Sequence, residues 1–257
     1  EPVTITIAGA NDGPVAAPAT GSASEDNALT ANGVLSSTDI DNASTATWTV
    51  LNAANGDNGL GTFDVDAAGN WTFNLDNNAF QVQDLNAGET LTETITVTVT
   101  DDQGATDTEQ ITITITGTND APVIVMGSAI TGNVTEDNPA NSTGQLFAGD
   151  MDGTAVLNWT TVANQAGANG FGNFSLDAMG NWTYVLDSAN NTVQALNVGE
   201  TLTDTFEFTV TDDNGATATE TVTITIDGTN DGPVASPATG AVVEDTTVVA
   251  AGTLVST

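Results

Sequence analysis

Acidic and amide side chains recur in short pairs along this chain, and these pairs are its best candidates for chemistry. Two aspartates flank a single residue at Asp39 and Asp41, and an Asn-Asp pair stands at Asn119 and Asp120. Carboxylate and amide oxygens are the ligands that hard divalent cations prefer, and Ca²⁺ accepts about six to eight of them in irregular geometry. The residue types therefore predict cation binding wherever the fold brings several of these pairs together.

The composition excludes most other chemistry. The chain has 257 residues, with 34 Asp and Glu but no Lys, Arg, His or Cys, and its formal net charge is -34. Without His, Lys and Cys, the usual general bases, Schiff-base amines and thiolate nucleophiles are absent, so we expect no enzymatic activity. Without Lys and Arg, the chain cannot neutralise a nucleic-acid backbone or an anionic membrane surface, and it has no run of roughly 18 or more apolar residues that could cross a bilayer. We therefore expect no nucleic-acid partner and no membrane insertion.

The missing bases also make any cluster of acids costly. Two carboxylates about 4 Å apart repel each other by roughly 4 kcal/mol at an effective dielectric constant of about 20. Several converging acids with no Lys or Arg nearby require a compensating cation, and without imidazole or thiolate ligands the predicted cofactor is Ca²⁺. The opposing interpretation is that Asp and Asn merely form turns, which they favour. We prefer that interpretation for Asp66 and Asp177, which lie in predicted hairpin turns.

An internal repeat organises the chain. Gly69-Asn70-Trp71 recurs as Gly180-Asn181-Trp182, a shift of 111 residues. The Asn-Asp pair that begins at Asn11 returns at Asn119 and again at Asn230. We expect an excerpt from a longer tandem array, with residues 1–10 as the last strand of a preceding repeat, 11–119 as repeat 1, 120–230 as repeat 2, and 231–257 as the start of a third.

Alternating side chains predict an all-β fold. Apolar residues alternate with Thr from Ile95 to Val99 and again from Ile111 to Ile115, which is the period-two pattern of strands. About seven short strands per repeat fit tandem immunoglobulin-like or cadherin-like β-sandwiches. We expect one short helical turn within residues 78–86, and further strands at Val15 to Ala17, Ala28 to Ser36, Thr45 to Asn52, Gly61 to Val65 and Asn70 to Leu75.

The aromatic residues recur in register between the repeats, as in Trp71 with Trp182 and Phe73 with Tyr184. We interpret them as core residues of each sandwich. A platform for stacking sugars is the alternative, but a carbohydrate site would not require the same residues in every copy. The Thr-rich strands resemble ice-binding surfaces, yet Thr is also the strand-forming residue that can face water in a chain without Lys or Arg.

The topology of a sandwich groups the acidic loops at its two ends. The leading end of repeat 1 holds Asp39, Asp41 and Asp101, and its trailing end holds Glu25, Glu89 and the Asn119-Asp120 pair. Head-to-tail stacking brings the trailing end of one repeat against the leading end of the next. The copies one repeat later are Asp150, Asp152 and Asp212 at the leading end, and Glu136, Glu200, Asn230 and Asp231 at the trailing end.

Thr100-Asp101-Asp102-Gln103-Gly104, followed by Ile115 to Val123, resembles the VCBS and cadherin-like repeats of large bacterial surface adhesins of the RTX type. The Gly-Thr-Asn-Asp-x-Pro-Val signature occurs three times, once with Ala in place of Thr, and the resemblance covers essentially the whole chain. It implies an extender region of a cell-surface adhesin, outside the cell, which Ca²⁺ stiffens between repeats and which projects a distal binding domain. The implied partners are neighbouring repeats of the same chain, and any surface or cell partner would bind through domains outside this sequence.

The layout of acids in cadherins implies three metal junctions in this chain. Their order is a Glu in the first loop, an Asn-Asp linker, an Asp-x-Asp pair and an Asp before Gly. The last junction lacks a following leading end, so we expect weak or incomplete binding there. The complete junction uses Glu25, Glu89, Asn119, Asp120, Asp150, Asp152 and Asp212; the first uses Asn11, Asp12, Asp39, Asp41 and Asp101; the last uses Glu136, Glu200, Asn230 and Asp231.

Two other functions stay open from the sequence. The chain could be a subunit of a surface filament or sheath, with residues 1–9 completing a neighbour's sandwich. It could instead be a glycan-binding or cell-binding module, although no unrepeated insertion forms a pocket. A glycosidase with a carboxylate pair is the enzymatic alternative, and the recurrence of each acid pair at a junction argues against it.

Overall fold

The computed structural model describes residues 2–41, 44–50, 55–138, 141–235, 237–241, 244, 249 and 251–254. About 45% of the chain is strand and 2% is helix, which confirms the predicted all-β fold of tandem sandwich repeats. Contact density divides the chain into two compact units. The first contains residues 1–123, 148–158 and 210–218, and the second contains residues 124–147, 159–209 and 219–257. Two segments of the second sequence repeat therefore belong to the first unit.

The first sequence repeat forms short strands and one turn of helix. Its elements are β1 (Val15–Ala16), β2 (Ala19–Ser24), β3 (Thr30–Val34), β4 (Ser37–Thr38), β5 (Thr47–Val50), β6 (Gly61–Val65), β7 (Asn70–Leu75), α1 (Phe80–Gln83), β8 (Thr90–Thr100) and β9 (Thr106–Thr116).

The long strands β8 and β9 form the centre of a four-stranded sheet in the order β2-β9-β8-β5. The Ile and Val side chains of these two strands are buried, while the Thr between them lie on the other face, where their strand propensity does not require burial. Strand β2 runs parallel to β9, with Ala19 opposite Ile111 and Ser24 opposite Thr116. Because the two strands are parallel, the residues that follow them emerge at the same end of the sheet.

A second sheet, in the order β3-β7-β6, shares one hydrophobic core with the first. Trp48 from the first sheet and Trp71 and Phe73 from the second are each less than 5% exposed. Burying each large apolar side chain of this kind stabilises the fold by about 1.5–3 kcal/mol. Gly21 allows the close approach of the two sheets, because a Cβ atom there would lie 2.7 Å from the Trp71 ring.

The second sequence repeat is built in the same way. Its sheets have the orders β11-β19-β18-β14 and β12-β17-β16-β15, and β11 runs parallel to β19. The aromatic copies Trp159, Phe174, Trp182 and Tyr184 are buried, which confirms their prediction as core residues. The elements are β10 (Val123–Ile124), β11 (Thr131–Thr135), β12 (Ser142–Gln145), β13 (Ala148–Gly149), β14 (Asn158–Trp159), β15 (Val162–Ala166), β16 (Gly172–Leu176), β17 (Asn181–Leu186), β18 (Thr201–Thr211) and β19 (Thr217–Asp227).

The local predictions differ from the structure in a few places. Strand β2 was not predicted, because its Ala, Thr, Gly and Ser residues are too similar in polarity to show an alternating pattern. The strand predicted from Thr45 to Asn52 is seen as Thr47–Val50, and residues 51–52 lie outside the described residues. The helical turn predicted within residues 78–86 is confirmed as α1, whereas the equivalent segment of the second repeat forms only turns.

Within the described residues, neither end of the chain forms a regular sheet of its own. Residues 2–10, predicted as the last strand of a preceding repeat, are exposed and form no strand within the described residues. The predicted start of a third repeat, residues 231–257, includes several positions outside the described residues. Across the part of the chain that the structure describes, no helix has the length and apolar character required to cross a membrane.

Candidate metal centre

Six of the predicted ligands come together within the first unit, and we call them the central cluster. Glu25 directly follows β2, and the Asn119-Asp120 pair follows the parallel strand β9. The other members stand on the two segments of the second repeat that belong to this unit. The central cluster comprises Glu25, Asn119, Asp120, Asp150, Asp152 and Asp212.

Hydrogen bonds between members fix the central cluster. The Asn119 side-chain amide donates to Asp212 Oδ2 at 2.9 Å, and the Asp120 N–H donates to Asp152 Oδ2 at 3.0 Å. The Asp152 N–H donates to Asp150 Oδ1 at 3.1 Å, which is an Asx-type turn of the Asp-x-Asp pair. The acidic oxygens are thus oriented by amides, because the sequence contains no cationic side chain that could do so.

Glu25 lies fully buried beside this network. Its Oε1 accepts a hydrogen bond from the Gln83 side chain at 2.9 Å, and its Oε2 accepts one from the Thr118 N–H at 3.2 Å. The next residue, Asp26, adopts a left-handed backbone with φ of 54°. That turn ends β2 and leaves the Glu25 carboxylate beside the Asn-Asp pair that follows β9.

Several oxygens of the central cluster are buried without a hydrogen-bond partner. Seven buried side-chain polar atoms of the described residues have no partner, and four of these belong to the cluster. A buried polar group left unpaired costs about 1–3 kcal/mol, so a concentration of them in one place requires an explanation. The four atoms are Asn119 Oδ1, Asp120 Oδ2, Asp150 Oδ2 and Asp152 Oδ1.

The pKa values of the acids reflect the same crowding. Burial raises the pKa of Glu25 from 4.5 to about 7, and the charges of Asp120 and Asp152 add to the increase. Burial also raises the pKa of Asp120 and of Asp152, and the negative charge of Asp150 contributes to both shifts. The charged forms of Glu25, Asp120 and Asp152 are therefore less favourable than those of free carboxylates, whereas the hydrogen bond from Asn119 lowers the pKa of Asp212.

The donor set fits a hard cation. Every unpaired atom of the central cluster is a carboxylate or amide oxygen, which suits Ca²⁺ and gives no nitrogen or sulfur ligand to a softer metal. Among the described residues, no group of three or more acidic side chains has the geometry to hold a metal ion by itself. The fit therefore rests on the unpaired buried oxygens and on the absence of Lys and Arg from the sequence.

The predicted ligands of the first junction form a second network in the same unit, which we call the upstream cluster. The Asn11 amide donates to Asp101 Oδ2 at 2.8 Å, and the Asp12 N–H donates to Asp41 Oδ2 at 2.8 Å. The Asp41 N–H donates to Asp39 Oδ1 at 2.8 Å. The structure therefore brings Asn11, Asp12, Asp39, Asp41 and Asp101 together.

The predicted ligands of the last junction lie in the second unit. Glu136 is fully buried, its Oε1 accepts a hydrogen bond from the Thr229 N–H at 2.6 Å, and its Oε2 has no partner. Asn230 and Asp231 follow β19 and are exposed, with the Asn230 amide donating to the Asp231 carbonyl at 3.1 Å. Of this group, only Glu136 has a buried unpaired oxygen.

Glu89 and its copy Glu200 have hydrogen-bond partners other than the predicted ligands. Both are exposed, and each carboxylate accepts hydrogen bonds from the N–H and side-chain amide of an Asn three residues earlier. These bonds from Asn197 lower the pKa of Glu200. Both glutamates thus have local partners.

Two buried carboxylates, Glu93 and Asp204, escape the sequence prediction. Glu93 accepts hydrogen bonds from the N–H groups of Asn58 and Leu60, both at 2.8 Å, and of Thr94 at 3.0 Å. Asp204, its copy in the second unit, accepts from the Tyr184 hydroxyl at 3.1 Å and from three backbone N–H groups. Their inward positions in the alternation of β8 and β18 are the signal that identifies them.

Comparison with known proteins places the chain in a family. Residues 11–117 and 119–228 each match the family described as "Bacterial cadherin-like domain". No curated protein sequence matches the chain at a significant level. Domains of the cadherin-like type are typically extracellular structural adhesion modules, and no enzymatic family is indicated.

Solved cadherin structures share the fold. PcdhgB3 EC1-4 has a TM-score of 0.54 and 20% identity, over 86% of this chain and 51% of that one. Protocadherin Gamma B2 extracellular cadherin domains 3-6 has a TM-score of 0.53 and 16% identity, over 88% and 50%. Mouse Cadherin-23 EC22-24 has a TM-score of 0.51 and 16% identity, over 88% and 68%.

The chain spans about half the length of the first two of these structures. At such low identities the likeness shows the fold alone, whereas the two consecutive family matches together cover most of the chain. The chain belongs to the family of bacterial cadherin-like domains and carries two of them in tandem.

Proposed function

We propose that this chain is a calcium-stiffened extender of a bacterial cell-surface adhesin of the VCBS or RTX type, which projects a distal binding domain. The observation that carries the proposal is the set of four buried, unpaired oxygens in the central cluster. All four atoms lie within the second family match, residues 119–228, whereas Glu25 of the same cluster lies within the first, residues 11–117. A cation that binds them together with Glu25 would link the two repeats.

In this proposal the central cluster holds Ca²⁺ through the oxygens of Glu25, Asn119, Asp120, Asp150, Asp152 and Asp212. When bound, Ca²⁺ supplies the positive charge that the acids lack and the partners that their buried oxygens lack. The protein's own amides orient the carboxylates, since Asn119 holds Asp212 and the Asp120 N–H holds Asp152. Glu89 lies at the edge of the proposed site, because Asn86 already engages its carboxylate.

The upstream and downstream groups are proposed as equivalent sites toward neighbouring repeats. The upstream cluster has the same amide contacts as the central one, and Glu136 contributes a buried unpaired oxygen downstream. Successive repeats are thus the proposed partners, with domain limits at 11–119 and 120–230. A chain that repeats one linking site at regular intervals is suited to spacing rather than to recognising a ligand.

Small-angle X-ray scattering of the 257-residue chain tests the proposal. We expect millimolar Ca²⁺ to increase the maximum dimension and narrow the distribution of conformations relative to EDTA, with Mg²⁺ as the ionic-strength control. The D120N/D152N variant should lose this response, whereas the matched D39N/D41N variant in the upstream cluster should keep it. An identical scattering curve in Ca²⁺ and EDTA contradicts the proposal.

A further inference from the structure

A pair of hydrogen bonds adjoins the central cluster and involves none of its predicted ligands. The Asn86 side-chain amide donates to Thr154 Oγ1 at 2.8 Å. The Gly153 N–H donates to the Asp84 carbonyl at 3.1 Å. All four residues lie in the first unit, and we call the two bonds the clasp.

The clasp acts on the loop that carries the Asp-x-Asp pair. Gly153 and Thr154 directly follow Asp152, so the bonds anchor the chain within two residues of a buried carboxylate. The far end of the same loop is held separately, because the Val156 N–H donates to Asp213 Oδ1 at 3.0 Å. The loop between Asp150 and Val156 is therefore fixed by protein groups alone.

Gly153 lies against the Asp84 side chain. A Cβ atom at Gly153 would overlap the Asp84 carboxylate, which is the end of a flexible side chain, so a larger residue there requires that carboxylate to rotate away.

The clasp residues do not recur with the repeat. One repeat later, the position of Asp84 is Ala195, and one repeat earlier, the positions of Gly153 and Thr154 are Asn42 and Ala43. Asn86 has a copy, Asn197, and the side-chain amide of each donates to a glutamate three residues later. Within this sequence, the Thr154 hydroxyl is thus the partner that sets the clasp at the central cluster apart from the upstream cluster.

We infer that Asn86, Gly153 and Thr154 are positioning residues that hold the Asp150–Asp152 loop in its binding arrangement before a cation arrives. This inference rests on the proposed calcium site. Without a cation, Asp150 and Asp152 each keep one buried oxygen unpaired, which favours opening of the loop toward water. Apparent affinity scales with the fraction of molecules in the competent arrangement, so a bond that opposes opening strengthens calcium binding without touching the ion.

Titration calorimetry with Ca²⁺ tests the inference on matched variants of the full chain. The variant T154V keeps the shape of the side chain but loses the hydroxyl, and T154S keeps the hydroxyl. We expect T154V, which loses one neutral hydrogen bond, to bind Ca²⁺ about two- to fivefold more weakly than the wild type, and N86A, which also loses the amide bond to Glu89, to bind at least as weakly as T154V. T154S should bind as the wild type does, and N197A, which removes only a contact to glutamate, should be the neutral control.

Amide hydrogen exchange in EDTA gives a readout that does not involve bound metal. The Gly153 amide should be protected in the wild-type protein and in T154S, and should exchange several-fold faster in T154V. By reciprocity, Ca²⁺ should slow exchange at Gly153 further. In G153A, the added methyl group should weaken binding, and the D84A/G153A double variant should recover much of the loss because the clash is removed.

The outcomes separate the two proposals. If the wild-type protein shows no heat of Ca²⁺ binding, the proposed function fails. If it binds Ca²⁺ and T154V binds equally well with unchanged exchange at Gly153, the calcium site stands and the positioning role is overturned. If T154V lowers the melting temperature in EDTA but leaves the affinity unchanged, the clasp is only structural and the inference is likewise overturned.

Discussion

The central and upstream clusters contain the same hydrogen bonds in different surroundings. In both, an Asn amide donates to a distant aspartate, at 2.9 Å from Asn119 and at 2.8 Å from Asn11. In both, the N–H of the next residue donates to the second aspartate of an Asp-x-Asp pair, at 3.0 Å in the central cluster and 2.8 Å in the upstream one.

Burial separates the two clusters. Asp152 is only 4% exposed and Asp120 is half-buried, whereas their equivalents Asp41 and Asp12 are half-buried and exposed. Only the central cluster contains Glu25, and within the described residues only it combines acids of raised pKa with several unpaired oxygens. The loops of each sandwich thus orient the carboxylates, and burial creates the need for a cation.

Removal of calcium gives the largest expected effect. A ligand at 100 times its dissociation constant stabilises the folded state by about 2.7 kcal/mol, and at 1,000 times by about 4.1 kcal/mol. We therefore expect calorimetric melting of the first unit to shift several degrees lower in EDTA than in millimolar Ca²⁺. Most of this shift should persist in D39N/D41N. If that variant removes it, the upstream cluster is the main site and the comparison is reversed.

Substitution of one aspartate in each cluster gives the next effect. We expect D152N to weaken Ca²⁺ binding by at least about 30-fold, or about 2 kcal/mol, because it removes a buried charge from the site. In EDTA the same variant should be more stable than the wild type, because one source of repulsion is gone. D41N is the matched control, with small changes in both conditions, measured by calorimetric titration and denaturant unfolding. Equal effects of the two variants would contradict the role assigned to burial.

The pH dependence gives the smallest effect and isolates Glu25. Its pKa of about 7 in the folded protein exceeds its ordinary value of 4.5, so the folded state holds the proton more tightly. In EDTA, the free energy of unfolding should therefore rise as the pH falls from 8 to 5, by on the order of 1–3 kcal/mol. E25Q should flatten this dependence. Below about pH 4 the trend should reverse, because the lowered pKa values of Asp101 and Asp212 make their ionised forms stabilising.

Much of the fold follows from the sequence because its signals are local. Alternation of Ile or Val with Thr identifies β8 and β9, and the repeat of 111 residues transfers each assignment to a second sandwich. Strand β2 lacks that signal, and it forms because β9 offers it a parallel edge while Gly21 fits beneath Trp71. Such pairing depends on residues far apart in the chain, which single-segment patterns do not contain.

The sequence selects the candidate ligands of the site, but it does not give their burial or their hydrogen-bond partners. Residue type and spacing select Asn119, Asp120, Asp150 and Asp152, yet they cannot show which oxygens are buried and unpaired. The amide partners of Glu89 and the inward position of Glu93 depend on turn geometry and on strand register. The clasp at Thr154 is even harder to predict from the sequence, because Asn86 and Thr154 are 68 residues apart and neither is acidic.

The carboxylates inside the two sandwiches have a consequence for how each domain folds without calcium. The hydrogen bonds that Glu93 and Asp204 accept come from donors of their own unit. Removal of calcium by a chelator therefore leaves these bonds in place. We expect each domain to stay folded in calcium-poor surroundings. Under the proposed function, a change in the calcium level would then stiffen or relax the junction between domains without either domain having to refold.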